Sequence, residues 1–175
     1  HEHLLYISVK PLNSLFNRFG FEVFHVEEVS IHGGSIRIFV CRKGEYNIAN
    51  SVNQIIEKEE KANLFDITRL NTFSKQVHEH KKELRELLLE IKRTGQSIAA
   101  VSAPAKGMTL LNYCEIDSNI LDFITEKSPL KIGKYSPGAH IPIFSDEKLY
   151  EEKPDFALLL AWNFADEIIE NLSDF

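Results

Sequence analysis

Beyond Gly95 the chain holds three short apolar runs, at residues 97–102, 120–124 and 156–160, that are continuous rather than alternating. A strand with no polar face must be covered on both sides, and that is the condition of a parallel sheet sandwiched between helices. The intervening segments 106–113, 146–150 and 166–172 carry helical spacing, which completes the strand, loop, helix alternation. Residues 96–175 are therefore expected to form an α/β unit, a Rossmann-like sheet with flanking helices.

The upstream half has a different pattern. Leu12, Leu15, Phe16 and Phe19 recur at helical spacing before Gly20, so residues 9–19 predict an amphipathic helix with a glycine cap. Residues 21–26 and 36–41 are rich in β-branched and aromatic side chains and are joined across His32-Gly33-Gly34-Ser35, which predicts an antiparallel pair. One helix and two strands bury little surface alone, so residues 1–43 read as the tail of a larger sheet. From 44 to 95 strand-like runs disappear. Val52, Ile55 and Ile56, then Leu84, Leu87, Leu88 and Ile91, make apolar stripes suited to core packing, and Gly95 is placed to end the second helix.

A content of 43% apolar residues over 175 positions supports a packed core, while a net charge of −6 argues against a broad cationic surface for nucleic acid. No run approaches the roughly 18 apolar residues of a membrane span, and no basic stretch leads into a signal-like apolar core. Cys41 and Cys114 stand in separate segments, a usage that fits a reducing cytoplasmic compartment and makes zinc ligation through sulfur improbable. The chain opens without a methionine and ends just after a helical pattern, and is read as a fragment.

Several residue groups could carry chemistry. In His1-Glu2-His3 a histidine can take a proton near neutral pH and a neighbouring carboxylate can fix its tautomer; an exposed terminal tripeptide without a role is the other reading. Paired Gly33 and Gly34 permit close approach of a ligand and equally make a hairpin turn. Arg37 within an apolar strand calls for a carboxylate or phosphate partner, or else lies on a solvated face. The segment 103–109 follows a strand and opens a helix, where backbone N–H groups favour an anion, but it has neither the Walker glycine pattern nor Gly-x-Gly-x-x-Gly. Lys131, Lys134 and Tyr135 lie in a second loop beside Gly133 and Gly138, and the two loops are expected to face one crevice or to be ordinary connections. His78 and His80 read as solvated, His25 and His140 have no evident partner, and Asp117, Asp122, Asp146 and Asp155 sit where turns and caps explain them.

Five ordered blocks, at residues 1–4, 31–37, 105–114, 135–143 and 154–163, resemble the C-terminal part of an S-adenosylmethionine-dependent sugar C-methyltransferase. That family methylates C3 of nucleotide-linked 4-keto-deoxysugars. The resemblance implies a zinc-binding N-terminal lobe and a donor-binding fold upstream, with zinc cysteines and the glycine-rich donor loop outside these residues. It implies that residues 1–43 end a class I methyltransferase domain, 44–95 connect, and 96–175 form most of a C-terminal Rossmann-like domain.

Carried onto matching positions, the resemblance implies His3 as general base and Glu2 as its orienting carboxylate, with a catalytic tyrosine usually standing just before them. It implies His32, Gly33 and Arg37 near the sugar or donor, Lys106, Lys134 and Tyr135 near the nucleotide phosphates, and no metal held by these residues. Two departures stand out: Ser102-Ala103-Pro104 replaces a loop that usually contains glycine, and family members continue past the closing helix into another strand. The implied partner is a nucleotide-diphosphate sugar, with neither nucleic acid nor membrane, and no oligomeric state is implied. A non-catalytic nucleotide-binding or assembly module is the competing reading.

Overall fold

The computed structural model describes residues 5–173 and, at residue 32, the backbone only. The chain divides into two compact units, His1–Ser74 and Lys75–Phe175.

The first unit is built from helix α1 (Val9–Arg18), strands β1 (Phe21–Val29) and β2 (Ser35–Arg42), and helix α2 (Asn50–Lys61). β1 and β2 pair antiparallel from Phe21 against Arg42 to Val29 against Ser35, with an irregularity between Val23 and His25. A 3-10 turn, Ile31–Gly33, joins them, and Gly33 and Gly34 adopt φ of 84° and 120°, which glycine tolerates without a Cβ penalty. Val9, Val23, Val26 and Val52 form the buried core, flanked by Phe16, Ile55 and Ile56. The helical stripe of α1 is thus narrower than its spacing implies: Phe16 packs inward, whereas Leu15 and Phe19 are exposed.

α1 begins without a side-chain cap from Ser8. Its first N–H groups are instead taken by Glu59 near the end of α2, with Val9 N–H and Lys10 N–H donating to the two carboxylate oxygens at 2.6 and 2.9 Å. A buried carboxylate at the positive end of a helix satisfies donors that have no intrahelical partner and gains from the aligned peptide dipoles.

Helix α3 (Ile67–Arg93) runs from the first unit into the second and ends at Gly95, whose φ of 82° suits a left-handed cap. Of its apolar stripe Leu88 is buried with Leu84 and Ile91 beside it, while Leu87 is exposed. The second unit then follows the order β3 (Ile98–Val101), α4 (Ala105–Tyr113), β4 (Phe123–Thr125), β5 (Ile143–Phe144), α5 (Glu147–Glu152), β6 (Phe156–Leu159) and α6 (Ala165–Asn171). The four strands make one sheet in the order β5-β4-β3-β6, and every pairing is parallel.

The central strand β3 is buried on both faces, as its continuous apolar run requires. Ile98 and Ala100 join Leu88 of α3 and Met108 and Leu111 of α4 in one cluster. Ala99 and Val101 join Leu149 of α5 and Ile168 of α6 in another. Gly107 lets α4 approach closely, because a Cβ there would stand 2.9 Å from the Cβ of Leu160.

One expectation needs correction, and one strand goes beyond what the sequence pattern shows. The strand expected at 120–124 occupies Phe123–Thr125, because Asp117 accepts backbone bonds from Ile120 and Leu121 and turns that segment. Ile116, Ile120 and Leu121 are apolar because the turn is itself buried in the core. β5 leaves no pattern in the sequence, because it is two residues long and follows Pro142, whose missing N–H disguises a strand.

Replacing Glu59 with alanine strands the buried Val9 N–H and removes the charge at the start of α1. A loss of about 1–3 kcal/mol is expected, with Glu59→Gln losing less. Denaturant unfolding followed by circular dichroism measures both; an unchanged midpoint for the alanine variant would contradict the capping role.

Candidate active-site crevice at the carboxyl edge of the sheet

The order β5-β4-β3-β6 contains one reversal: the chain moves outward from β3 through β4 to β5, then returns to the far side of β3 for β6. In open α/β sheets ligands occupy the crevice beyond the carboxyl ends of the strands where the order reverses, here beyond β3 and β6.

The β3–α4 connection turns sharply there. Ser102 donates its N–H to the carbonyl of Thr125 at 2.9 Å and adopts φ of 69°, a conformation that favours glycine, and Pro104 leads into α4. Serine thus occupies a backbone position that favours glycine. Lys106, in the first turn of α4, holds its ammonium 4.5 Å from the ring centroid of Trp162, which follows β6 and is 48% exposed.

Glu126 stands at the carboxyl end of β4 and is buried. Its Oε2 accepts from Ala103 N–H at 3.1 Å and from Lys131 Nζ at 2.9 Å, and its Oε1 from Lys127 and Ser128 N–H at 3.0 and 3.2 Å. Lys131 also donates to the carbonyl of Ala103 at 2.9 Å. Burial pushes the Glu126 carboxyl up, but the Lys131 ammonium and the backbone donors of Ser128 and Ala103 outweigh it and hold the group below the usual carboxylate range. One donor of the 103–109 segment therefore already serves an anion, the chain's own carboxylate. A cleft of about 270 Å3 opens beside Val101, Ser102, Glu126, Asp146 and Ile168.

Glu2 and His3 lie outside the described residues, as does the side chain of His32. Gly33 sits in the hairpin turn, and Arg37 lies exposed on β2, bonded at 3.1 Å to Glu27, its cross-strand partner. Its carboxylate partner and its solvated face are thus both present. Lys134 and Tyr135 are exposed along the outer edge of the sheet, where Lys134 O accepts from Ile143 N–H and Tyr135 bridges Pro142. Lys106 follows the central strand, with β4 and β5 between it and that edge. The loop lysine at the carboxyl edge with Glu126 is Lys131.

His25, expected to lack a partner, has Nδ1 2.9 Å from Ser51 Oγ and Nε2 3.6 Å from Glu27. Asp155 accepts from both the N–H and the hydroxyl of Ser97, and Asp122 from Ile98 N–H and Lys92, so these carboxylates tie element ends. Both cysteines are buried and free, and among the described residues no group of three His, Cys, Asp or Glu is arranged to hold a metal. No described helix is long and apolar enough to cross a membrane. Neither Trp162 nor Glu126 is marked as a site residue by the sequence pattern. The signals were an acid directly after a buried strand and a tryptophan directly after another, but their convergence needed the strand order.

The family model described as "C-methyltransferase C-terminal domain" matches residues 30–175. This chain belongs to that family. It is also 33% identical over 176 aligned residues to "C-methyltransferase NovU" of Streptomyces niveus, an alignment that covers all of this chain and 42% of that protein. Within the matched residues of this chain lie the parallel four-stranded sheet and the crevice whose backbone is pinned by Glu126.

The folded-state pKa of Glu126 is depressed, so its contribution to stability is complete above the ordinary carboxyl value of 4.5 and is lost as pH falls through the lower folded value. Glu126→Gln is expected to cost about 1–3 kcal/mol at pH 7 and to flatten the stability loss below about pH 4.5. Urea unfolding at pH 7 and pH 3 measures this, and equal acid sensitivity of variant and parent would rule it out.

Proposed function

We propose that the intact protein is an S-adenosylmethionine-dependent C-methyltransferase of a nucleotide-linked keto-deoxysugar, working in the cytoplasm. In this reading residues 1–43 end its catalytic domain, 44–95 connect, and 96–175 form a substrate-side Rossmann-like domain. Membership of the C-methyltransferase C-terminal domain family is the observation that carries the reading. The relative named above, itself a C-methyltransferase, aligns along the whole of this chain.

His3 acts as general base on the proton of the carbon beside the sugar ketone, and Glu2 fixes the imidazole tautomer and stabilises its charged form. The proton moves to His3 as the C–H electron pair becomes an enolate. S-adenosylmethionine supplies the electrophilic methyl that this carbon takes up. The β3–α4 loop does not suit that donor: it lacks the glycine pattern, and Ala103 N–H is already committed to Glu126. In this reading donor binding belongs to upstream residues, as does zinc, and the 175 residues alone are expected not to methylate. His32, Gly33 and Arg37 serve the sugar or donor side, and Lys106 serves the nucleotide diphosphate, apart from Lys134 and Tyr135 on the outer edge of the sheet.

In the full-length protein, His3→Ala is expected to lower methyl transfer by at least about 100-fold and to abolish solvent exchange of the sugar's C3 proton, with donor binding retained. Turnover assays and deuterium exchange read the two steps; undiminished turnover would remove His3 from the role of base. If the 175 residues bind no nucleoside diphosphate and instead self-associate with concentration, the assembly-module reading takes precedence.

A further inference from the structure

Four lysines among the described residues stand over aromatic rings: Lys10 over Phe65, Lys81 over Tyr113, Lys148 over Phe144 and Lys106 over Trp162. Three of these ammonium groups are neutralised by a carboxylate, Lys10 by Glu60 at 2.6 Å, Lys81 by Glu115 at 2.6 Å and Lys148 by Glu152 at 2.8 Å. Among the described residues no carboxylate pairs with Lys106. Lys131, at the same carboxyl edge, is neutralised by Glu126 at 2.9 Å. Lys106, which follows the strand at the reversal, therefore keeps its positive charge unpaired among the described residues, and beside it stands a half-exposed indole.

An ammonium 4.5 Å from the indole centroid is within cation–π range, so the two groups hold each other in place. A diphosphate drawn to Lys106 lies next to the ring, and the nucleoside attached to it reaches the remaining exposed indole surface. Nucleobases stack on aromatic side chains irrespective of their hydrogen-bonding edges. Tyr135 is also exposed, but it lies on the outer edge of the sheet, bridged to Pro142.

We propose that Trp162 is the stacking platform for the base of a bound nucleoside diphosphate, with the Lys106 ammonium beside it carrying the phosphate charge. This rests on the nucleotide-sugar reading above and assigns a base contact to a residue outside that set. No bond is made or broken; the indole orients the nucleotide and thereby the sugar attached to it.

Trp162 is the only tryptophan of the 175 residues, so its emission reports this position alone. Uridine, thymidine, guanosine and adenosine diphosphates, with inorganic pyrophosphate as the control lacking a base, are titrated by calorimetry and fluorescence. At least one nucleoside diphosphate is expected to bind and quench the emission, while pyrophosphate binds more weakly. Trp162→Ala is expected to weaken the nucleotide between about 5-fold and 100-fold and to leave pyrophosphate unchanged, and Trp162→Phe to recover most of the loss. Lys106→Met weakens both ligands. Should the alanine variant fail to fold, the parent emission and the phenylalanine variant decide the matter. Nucleotide binding with unchanged emission and an unaffected Trp162→Ala overturns the stacking role and leaves the nucleotide reading intact. Absence of calorimetric binding by every nucleotide overturns both.

Discussion

A buried carboxylate is unfavourable unless its charge is matched and its lone pairs are filled, and Glu126 meets both conditions at the end of β4. The same four donors that satisfy it belong to the β3–α4 loop and to the loop leaving β4. Lys131 closes the ring by also bonding the carbonyl of Ala103. The strained turn at Ser102, the start of α4 and the position of Lys106 all follow from where this carboxylate holds the backbone. Together with the bond from Ser102 N–H to the Thr125 carbonyl, it fixes a left-handed serine and a proline-led helix start.

The first unit solves a related problem in the same way. Glu59 reaches from α2 to the exposed donors at the start of α1, and Glu22 accepts from Gly44 N–H at 2.7 Å, just beyond the hairpin. Neither is a local Ser or Thr cap; both are long-range contacts between elements. Part of the chain's acidity is thus consumed internally, as ligands of backbone N–H groups, which is why a net charge of −6 says little about partners.

Around that rigid edge, the groups left open are the ones available for recognition. Lysines paired with glutamates contribute to packing and to local charge balance, whereas Lys106 keeps its charge beside Trp162. The two belong to helix and turn segments that follow neighbouring strands, β3 and β6, so a sheet built for burial presents a cation and an aromatic surface side by side.

Periodicity alone determined the hairpin, the helical middle and the α/β alternation, because a buried strand, a half-buried strand and an amphipathic helix leave different spacings of apolar residues. It also marked the 103–109 segment, since a helix opening after a buried strand can be read from neighbouring residues, while Lys106 itself is singled out by the family resemblance. What spacing could not resolve was why a residue is apolar: Ile120 and Leu121 are buried in a turn, and the two-residue β5 hides behind Pro142. The meeting of Glu126 with Ala103, of Glu59 with Val9, and of Lys106 with Trp162 was decided only by the tertiary structure. Strand order and helix packing bring these distant residues together, and no local pattern encodes that distance.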